Sequence, residues 1–230
     1  MLDAHIVKQR RDFAVDVSIR VAPGASLAIF GASGSGKSTV LSCIAGIEEP
    51  DAGSVRIADV TLFPPSLPLH VRSVGYMTQE TNLFPHLTVA ENVRFAVDRD
   101  PNDRAWVDEL RDRLGLAALW DAPAARISGG QARRVALARM LARRPALVLL
   151  DEPFTGLDRH IVRDLIEDVA KWQARLQFVT VVVDHHVEVL ERLCERVVVL
   201  EDGAIVQDDS WAALRAAPAT PLLARLIAPL

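Results

Sequence analysis

The sequence predicts an α/β fold with a mainly parallel central sheet, an N-terminal antiparallel β portion and a small inserted helical subdomain. Two apolar runs, 146–150 and 178–183, contain no alternating polar residues, which is typical of strands buried on both faces. Between them, Ile161, Leu165 and Val169 recur at helical spacing. Strands that alternate with helices indicate an α/β core, in which helices cover a parallel sheet.

Length, composition and charge describe an ordinary globular protein. Half of the 230 residues are hydrophobic and 24% are charged, which excludes a disordered or fibrous chain. The formal net charge of -4 argues against a protein that coats nucleic acid, and we expect no direct nucleic-acid partner. Cys43 and Cys194 lack the spacing of metal ligands, so we expect two buried thiols.

Hydropathy and the first residues of the chain bear on its location. No apolar stretch approaches the roughly 20 residues that span a bilayer. The N-terminal residues also lack the basic and then apolar segments of a secretory signal. We therefore expect a cytoplasmic protein that reaches the inner face of a membrane only through a partner.

The N-terminal third of the chain is predicted to be rich in strands. Alternating hydrophobic residues from 15 to 21 predict a strand with one buried face, and Phe13 fits the same buried set. A second short strand is expected at 26–30. Two further strands, separated by a proline-rich loop at 62–68, are predicted at 54–60 and 71–78.

The pattern changes to helices after Gln79. Thr88 and Glu91 have the spacing of a capping box, in which each residue bonds to the backbone of the other at a helix start. Further on, Trp106, Leu110 and Leu114 recur at helical spacing. We therefore predict a helical subdomain at 80–127, inserted into a nucleotide-binding core formed by 1–79 and 128–230.

A glycine-rich segment carries the first chemical signal. Residues 31–38 match the phosphate-loop pattern G-x-x-x-x-G-K-[ST], and they follow a predicted strand and open a helix at about Lys37. Backbone N–H groups of such a loop and the helix start face a phosphate, while the lysine supplies positive charge and Ser38 is placed to bind Mg²⁺. The residues assigned to the nucleotide are Gly31, Ala32, Ser33, Gly34, Ser35, Gly36, Lys37, Ser38 and Thr39.

Charged side chains follow the two buried strands. Asp151 and Glu152 come directly after 146–150, and His185 follows 178–183. Ligands bind at the carboxyl ends of strands in open parallel sheets. Asp151 therefore suits Mg²⁺, and Glu152 suits a residue that orients or deprotonates the attacking water. Helix capping by the carboxylates and a surface position for His185 remain the alternatives.

A second glycine-containing segment, Ile127 to Gln131, precedes a helix predicted from about Gln131. Ser128 and the backbone N–H groups of Gly129 and Gly130 would form a second anion-binding helix start. Alone, this segment is only a turn, so its meaning depends on the other motifs.

The motifs follow one another in the order found in nucleotide-binding subunits of ABC transporters, and the chain resembles that family over nearly its whole length. Gln79 and the segment 156–158 complete the pattern. The resemblance implies a P-loop NTPase core that uses ATP with Mg²⁺. It assigns Gln79 to Mg²⁺ and the attacking water, Asp158 to communication across a dimer, and His185 to the γ-phosphate.

The resemblance also implies a head-to-tail homodimer. ATP on the phosphate loop of one subunit would meet the segment 128–131 of the other subunit, which gives two composite sites per dimer. Ile127 stands where the family usually has leucine, and His186 stands where it usually has aspartate. The residue that stacks on adenine is left open, because Phe13 is assigned to a buried strand.

Membrane partners are implied by the same resemblance. The expected partners are an integral membrane permease and a solute-binding protein, with residues 79–89 facing the permease. Leu83, Phe84 and Leu87 would line that contact or pack the helical subdomain onto the core. We expect an importer of a small solute such as molybdate or thiamine. The alternative is a non-transport ABC ATPase that acts in nucleic-acid handling or cofactor assembly.

Overall fold

The computed structural model describes residues 1–64, 67–95, 97 and 101–227, except for the side chains of residues 101 and 102. The described strands are β1 (Leu2–Gln9), β2 (Ala14–Val21), β3 (Ser26–Phe30), β4 (Ala52–Ile57), β5 (Val60–Phe63), β6 (Val74–Met77), β7 (Leu147–Asp151), β8 (Val179–Val183), β9 (Arg196–Glu201) and β10 (Ala204–Ser210). The described α-helices are α1 (Lys37–Ala45), α2 (Val89–Arg94), α3 (Pro101–Arg113), α4 (Gly129–Ala142), α5 (Arg159–Leu176), α6 (Val187–Leu193), α7 (Trp211–Ala216) and α8 (Pro221–Leu226).

All of these strands belong to one sheet, in the order β5-β4-β1-β2-β10-β9-β3-β8-β7-β6. From β9 to β6 every neighbouring pair is parallel. From β5 to β2 every pair is antiparallel, and β10 joins the two halves by pairing antiparallel with β9 and parallel with β2. The predicted parallel core with an N-terminal antiparallel portion is therefore confirmed.

The parallel half is buried on both faces, as the apolar runs predict. Leu147 and Leu149 of β7 pack with α1 on one face, while Val148 and Leu150 pack with α4 and α5 on the other face. Alternate residues of a strand point to opposite faces, so an uninterrupted apolar run supplies both layers. Both cysteines are free and buried, as expected.

The antiparallel half differs in detail from the prediction. The strand expected at 54–60 is the hairpin of β4 and β5, which turns at Ala58, where φ is 50°. The strand expected at 71–78 shortens to β6, because a 3₁₀ turn at Leu69–Val71 follows Pro68. Residues 65 and 66 of the predicted proline-rich loop lie outside the described residues.

The regular elements described between residues 80 and 127 are all helical. The predicted capping box opens α2, where Thr88 accepts from the Glu91 N–H. Helix α3 and two short 3₁₀ turns, Ala117–Leu119 and Ala124–Arg126, follow. Their buried residues share one hydrophobic cluster with α4, α5 and β7. The division into a core and a subdomain stays a prediction, and residues 228–230 lie outside the description.

Helix α3 is joined to α5 of the core through long side chains. Trp106 and Trp172 meet edge to face with ring centroids 5.6 Å apart, and Trp172 Nε1 donates to Glu109 at 2.8 Å. Arg113 pairs with the buried carboxylate of Asp168.

Within the described residues, no helix is both long and apolar enough to cross a membrane.

Candidate functional site

The phosphate loop connects β3 to α1, and its glycines are required for both conformation and space. Gly31 and Gly36 have φ values of 149° and 102°, which side chains other than glycine adopt with strain. A Cβ at Gly31 would lie 2.2 Å from the Leu200 carbonyl oxygen, and a Cβ at Gly36 would lie 2.8 Å from a methyl group of Val15. The loop is therefore packed against the sheet in one conformation.

The start of α1 is open to an anion. Its N-cap residue is Gly36, and no described side chain caps the helix. The first N–H groups of a helix have no partner inside the helix, and the positive end of its dipole favours negative charge. These groups therefore suit a phosphate.

Lys37 supplies positive charge inside the same loop. Its ammonium donates to the carbonyls of Gly31 at 2.9 Å and of Ala32 at 2.7 Å. Burial lowers the pKa of this ammonium, while the nearby charges of Asp151 and Glu152 act in the opposite direction. The loop thus combines the N–H groups of a helix start with the ammonium group of Lys37.

Asp151, the last residue of β7, offers a carboxylate with the features of a cation ligand. It is buried, and its Oδ1 has no hydrogen-bond partner among the described residues, while Oδ2 accepts from the Tyr76 hydroxyl at 3.5 Å. Burial raises the pKa of Asp151, and the charge of Glu152 adds to this, whereas bonds from Ser38 and Tyr76 lower it. A buried oxygen without a partner beside a serine hydroxyl fits Mg²⁺, which prefers oxygen ligands.

Glu152 is held in an unusual backbone conformation. Its φ is 49°, in the left-handed region that non-glycine residues seldom occupy. The Glu152 N–H donates to Val183 O at 2.8 Å, and its carbonyl accepts from Arg133 Nη1 at 3.0 Å. Backbone strain of this kind persists only where neighbours hold it, and it concentrates at functional sites. Arg133 and the end of β8 therefore hold the Glu152 backbone in this conformation.

His185 meets this carboxylate. Its Nδ1 lies 3.7 Å from Glu152 Oε1, and its side chain is 57% exposed. The contact arises because β7 and β8 are neighbours and Asp151 is in register with Val183, so the turns after the two strands lie side by side. The sequence placed both residues at one sheet edge, and the structure brings them together.

Gln79 and Asp158 lie near the same edge but are exposed. Gln79 is two residues beyond β6, which pairs with β7. Asp158 is the N-cap residue of α5, yet its side chain makes no capping bond in the described structure. Helix capping therefore does not explain Asp158, and the roles predicted for both residues stay predictions.

The segment 128–131 begins α4 two residues earlier than predicted, at Gly129. A capping box explains the shift: Gln131 N–H donates to Ser128 Oγ at 3.3 Å, and Ser128 N–H donates to Gln131 Oε1 at 2.8 Å. A Cβ added at Gly129 would meet nothing within 4 Å in the described chain, whereas one at Gly130 would lie 3.1 Å from Leu157. The chain itself thus gives no steric reason for Gly129.

A cavity of about 360 Å³ beside the phosphate loop contains residues that the sequence analysis missed. Arg10 lines it, donates to Thr39 Oγ1 at 2.7 Å and pairs with Glu48 at 2.6 Å. In the sequence, the adjacent basic residues Arg10 and Arg11 are the only local indication of a charged site at this position. Phe13 packs on the same hydrophobic cluster as the buried residues of β2, as predicted, but it lies one residue before that strand, is only partly buried and also lines this cavity.

A second cavity, of about 380 Å³, lies between β6 and α4. Thr78, Glu80, Arg139 and Arg143 are among the residues that line it. Beside it, Phe84 packs on the exposed ring of Phe95 with centroids 4.4 Å apart. Leu83 packs on the hydrophobic cluster that contains α4, which is one of its two expected roles, and it also lines a neighbouring cavity. The expected contact with a permease stays a prediction.

Comparison with known proteins gives consistent matches. The model of the ABC transporter family matches residues 14–155. A thiamine import ATP-binding protein of Jannaschia sp. is 37% identical over 229 residues, which cover 96% of this chain and 98% of the relative. A molybdenum import ATP-binding protein of Rhodospirillum rubrum is 33% identical over 227 residues, 96% of this chain. A sulfate/thiosulfate import ATP-binding protein of Synechococcus elongatus is 38% identical over 218 residues, 93% of this chain.

These relatives differ in length. The match spans 61% of the molybdenum relative and 63% of the sulfate relative, so the chain covers less than two thirds of either. Among solved structures, a dimeric ATP-binding cassette bound to ADP and phosphate is 26% identical with a TM-score of 0.79, covering 91% of this chain and 98% of that chain. An ATP-binding subunit of an ABC transporter has a TM-score of 0.86 at 23% identity, covering 99% of this chain and 100% of that chain.

Proposed function

This chain belongs to the ABC transporter family, and from that premise we propose that it binds and hydrolyses ATP as the motor subunit of a membrane importer. One observation carries the proposal. The phosphate loop, the Asp151–Glu152 pair and His185 converge at one sheet edge, because β3, β8 and β7 are parallel neighbours and His185 Nδ1 lies 3.7 Å from Glu152 Oε1. The arrangement offers a phosphate cradle, a cation ligand and a group that activates water.

In this proposal the phosphates of ATP lie in the loop formed by residues 31–36. Loop N–H groups and the open start of α1 bind the phosphate oxygens, and Lys37 transfers its ammonium bonds from the loop carbonyls to the phosphates. Ser38, Asp151 and Gln79 would hold Mg²⁺, which neutralises developing phosphate charge when bound. The Phe13 ring and the cations that line the same cavity face the remainder of the nucleotide.

Glu152 is the residue that we assign to water activation. Its carboxylate orients a water molecule for in-line attack on the γ-phosphate and accepts a proton from that water, so ATP and water give ADP and phosphate. His185, beside the same carboxylate, contacts the γ-phosphate. Preorganised groups of this kind accelerate reactions because they do not reorganise in the transition state.

A second copy of the chain completes the site in this proposal. The capping box occupies two N–H groups at the start of α4 and leaves those of Gly129 and Gly130 for a ligand. The open space at Gly129 allows the backbone to approach a γ-phosphate held by the partner subunit. The likeness to dimeric cassettes supports this head-to-tail homodimer, in which Asp158 would lie near the subunit contact.

The remaining partners follow from the import function. We infer that a permease helix docks at the cavity between β6 and α4, next to Gln79, and that a solute-binding protein delivers the solute. The protein would then be cytoplasmic and attached to the inner face of the membrane. The names of the reported relatives include thiamine, molybdenum and sulfate/thiosulfate import, which favours transport over a non-transport role and keeps molybdate and thiamine among several candidate solutes.

Release of phosphate from ATP tests the catalytic part of this proposal. With Mg²⁺ the purified chain should hydrolyse ATP, and Lys37→Ala should lose both nucleotide binding and turnover because the phosphate charge has no counterion in the loop. Lys171→Ala, an exposed lysine of α5, is the matched control. A wild-type chain that neither binds nor hydrolyses ATP would overturn the proposal. Reconstitution with a candidate permease, followed by ATP-dependent solute uptake, tests transport separately.

A further inference from the structure

A buried carboxylate next to the site has no role in the mechanism described so far. Asp184 follows β8 directly and is 2% exposed. A buried carboxylate needs hydrogen bonds to offset the loss of water. Its Oδ1 accepts from the His186 backbone N–H at 2.9 Å and from the His186 ring nitrogen Nδ1 at 2.9 Å. Asp184 therefore orders the short segment 184–186.

The His186 ring is held on two sides. Besides its bond to Asp184, it packs on the His185 ring, with centroids 3.8 Å apart and an interplanar angle of 43°. The bond from Nδ1 sets the orientation of the His186 ring, and the ring contact then restricts the side-chain rotamers of His185. His186 itself is 58% exposed, so its ring does not serve as core packing.

His185 depends on this support because little else in the described chain holds it. Its Nδ1 is 3.7 Å from Glu152 Oε1 and 3.8 Å from Asp184 Oδ1, both longer than a hydrogen bond. An exposed side chain of this kind would otherwise lose rotamer freedom at the moment of reaction. The Asp184–His186 pair fixes the His185 ring in advance, between Glu152 and the place of the γ-phosphate.

We propose that Asp184 and His186 are positioning residues for ATP hydrolysis, which act by holding His185 against Glu152. This inference rests on the proposed ATPase function and adds two residues to it. We assign neither residue a contact with the nucleotide, so changes at both should slow the chemical step and leave the binding of ATP unchanged.

Steady-state kinetics of His186 variants test the proposal. His186→Ala removes both the ring contact and the bond to Asp184, and kcat should fall about tenfold while KM for ATP changes less than about twofold, because loss of orientation slows the reaction step. His186→Phe keeps the ring, and its kcat should lie between those of wild type and His186→Ala. Asp184→Asn keeps the shape but weakens the bond to His186, so it should behave like His186→Phe.

The chain offers a matched control in His5 and Asp16, an exposed pair joined at 3.1 Å on the antiparallel half of the sheet. His5→Ala removes an equivalent imidazole–carboxylate bond and should leave kcat and KM unchanged. Melting temperatures of the two His186 variants should stay close to that of wild type, since His186 is exposed.

Three outcomes would overturn the inference. The first is a kcat of His186→Ala within about twofold of wild type. The second is a parallel loss of kcat, ATP affinity and melting temperature, which would indicate a general structural role. The third is a Phe variant no faster than the Ala variant, which would contradict the ring contact. If the wild type hydrolyses ATP and Lys37→Ala does not, the proposed function survives each of these results.

Discussion

The chain has two glycine-containing helix starts, and they are built differently. At the phosphate loop, Gly31 and Gly36 have positive φ values, press against Leu200 and Val15, and leave α1 without a side-chain cap. At the start of α4, Ser128 and Gln131 complete a capping box, and Gly129 has an ordinary helical backbone with open space around it. Both segments have the composition of an anion site.

The difference separates the ligand contacts that one chain is built to make alone from those that need a second copy of the chain. The phosphate loop is shaped by its own sheet, and its N–H groups need an anion to replace a missing cap. The start of α4 is already stable without a ligand. No contact within the described part of the chain requires glycine at position 129, which fits a surface that contacts nucleotide only in a dimer. The predictions below test this division.

Glu152→Gln should produce the largest effect, because it acts at the edge where the chain's own groups converge. We expect kcat to fall at least about a hundredfold, since the amide cannot accept a proton from water, while ATP binding and ATP-dependent dimerisation persist. Phosphate release and size-exclusion chromatography with ATP measure both properties. Glu167→Gln, an exposed glutamate of α5, is the control. Near-normal turnover would contradict the role of Glu152.

Ser128→Arg tests the other helix start. A large cation there should abolish ATP-induced dimerisation and reduce turnover about tenfold or more, because contact with the partner's γ-phosphate is blocked. Nucleotide binding by the monomer should remain. Ser210→Arg is a matched control, since Ser210 also caps a short helix, α7, away from the site. Normal dimerisation of Ser128→Arg would show that α4 does not contribute to the nucleotide site.

Two glycine-to-alanine variants, one at each helix start, test the difference between the two segments directly. Gly129→Ala should weaken ATP-driven dimerisation about tenfold without lowering the melting temperature, because alanine is the better helix former. Gly34→Ala should instead weaken ATP binding to the monomer, because φ at Gly34 is 83° and alanine adopts this value with strain. Nucleotide titration and sizing of each variant separate the two effects. The same phenotype in both variants would refute the division.

Arg10→Ala should give the smallest effect, an increase of about threefold in the Kd for ATP. Arg10 supports the Thr39 hydroxyl at 2.7 Å, and a hydrogen bond of this kind contributes about 0.5–1.5 kcal/mol. Fluorescent-nucleotide titration measures the change, with Arg20→Ala, on the antiparallel half of the sheet, as control. An unchanged Kd would remove Arg10 from the nucleotide site.

Much of the fold and part of the site could be predicted because their signals are local. The strand, loop and helix at 26–45 follow from an apolar run, closely spaced glycines and a lysine, all within one segment. The buried strands β7 and β8 follow from uninterrupted hydrophobicity, and their order places Asp151, Glu152 and His185 at one edge. The capping box of α2 follows from the spacing of Thr88 and Glu91.

Other features could not be predicted, because they join segments that are far apart in sequence. Phe13 has the alternation of a strand residue, but the packing of the phosphate loop against β2 places it in a cavity. Arg10 reaches Thr39 only because β1 and α1 are neighbours in the fold. The start of α4 at Gly129 is the exception: its capping box joins residues only three apart, Ser128 and Gln131, so the sequence itself contains the signal for it.

The residue pattern of the chain is sufficient to show which residue types stand at the ends of which strands and where the backbone must bend. Periodicity, turn residues and motif spacing depend on near neighbours in the chain, so they can be recognised without a structure. The folded chain alone shows that Arg133 bonds to the strained backbone of Glu152 and that His185 lies beside the Glu152 carboxylate. Those contacts depend on strand register and helix packing, which arise only when the whole sheet has formed.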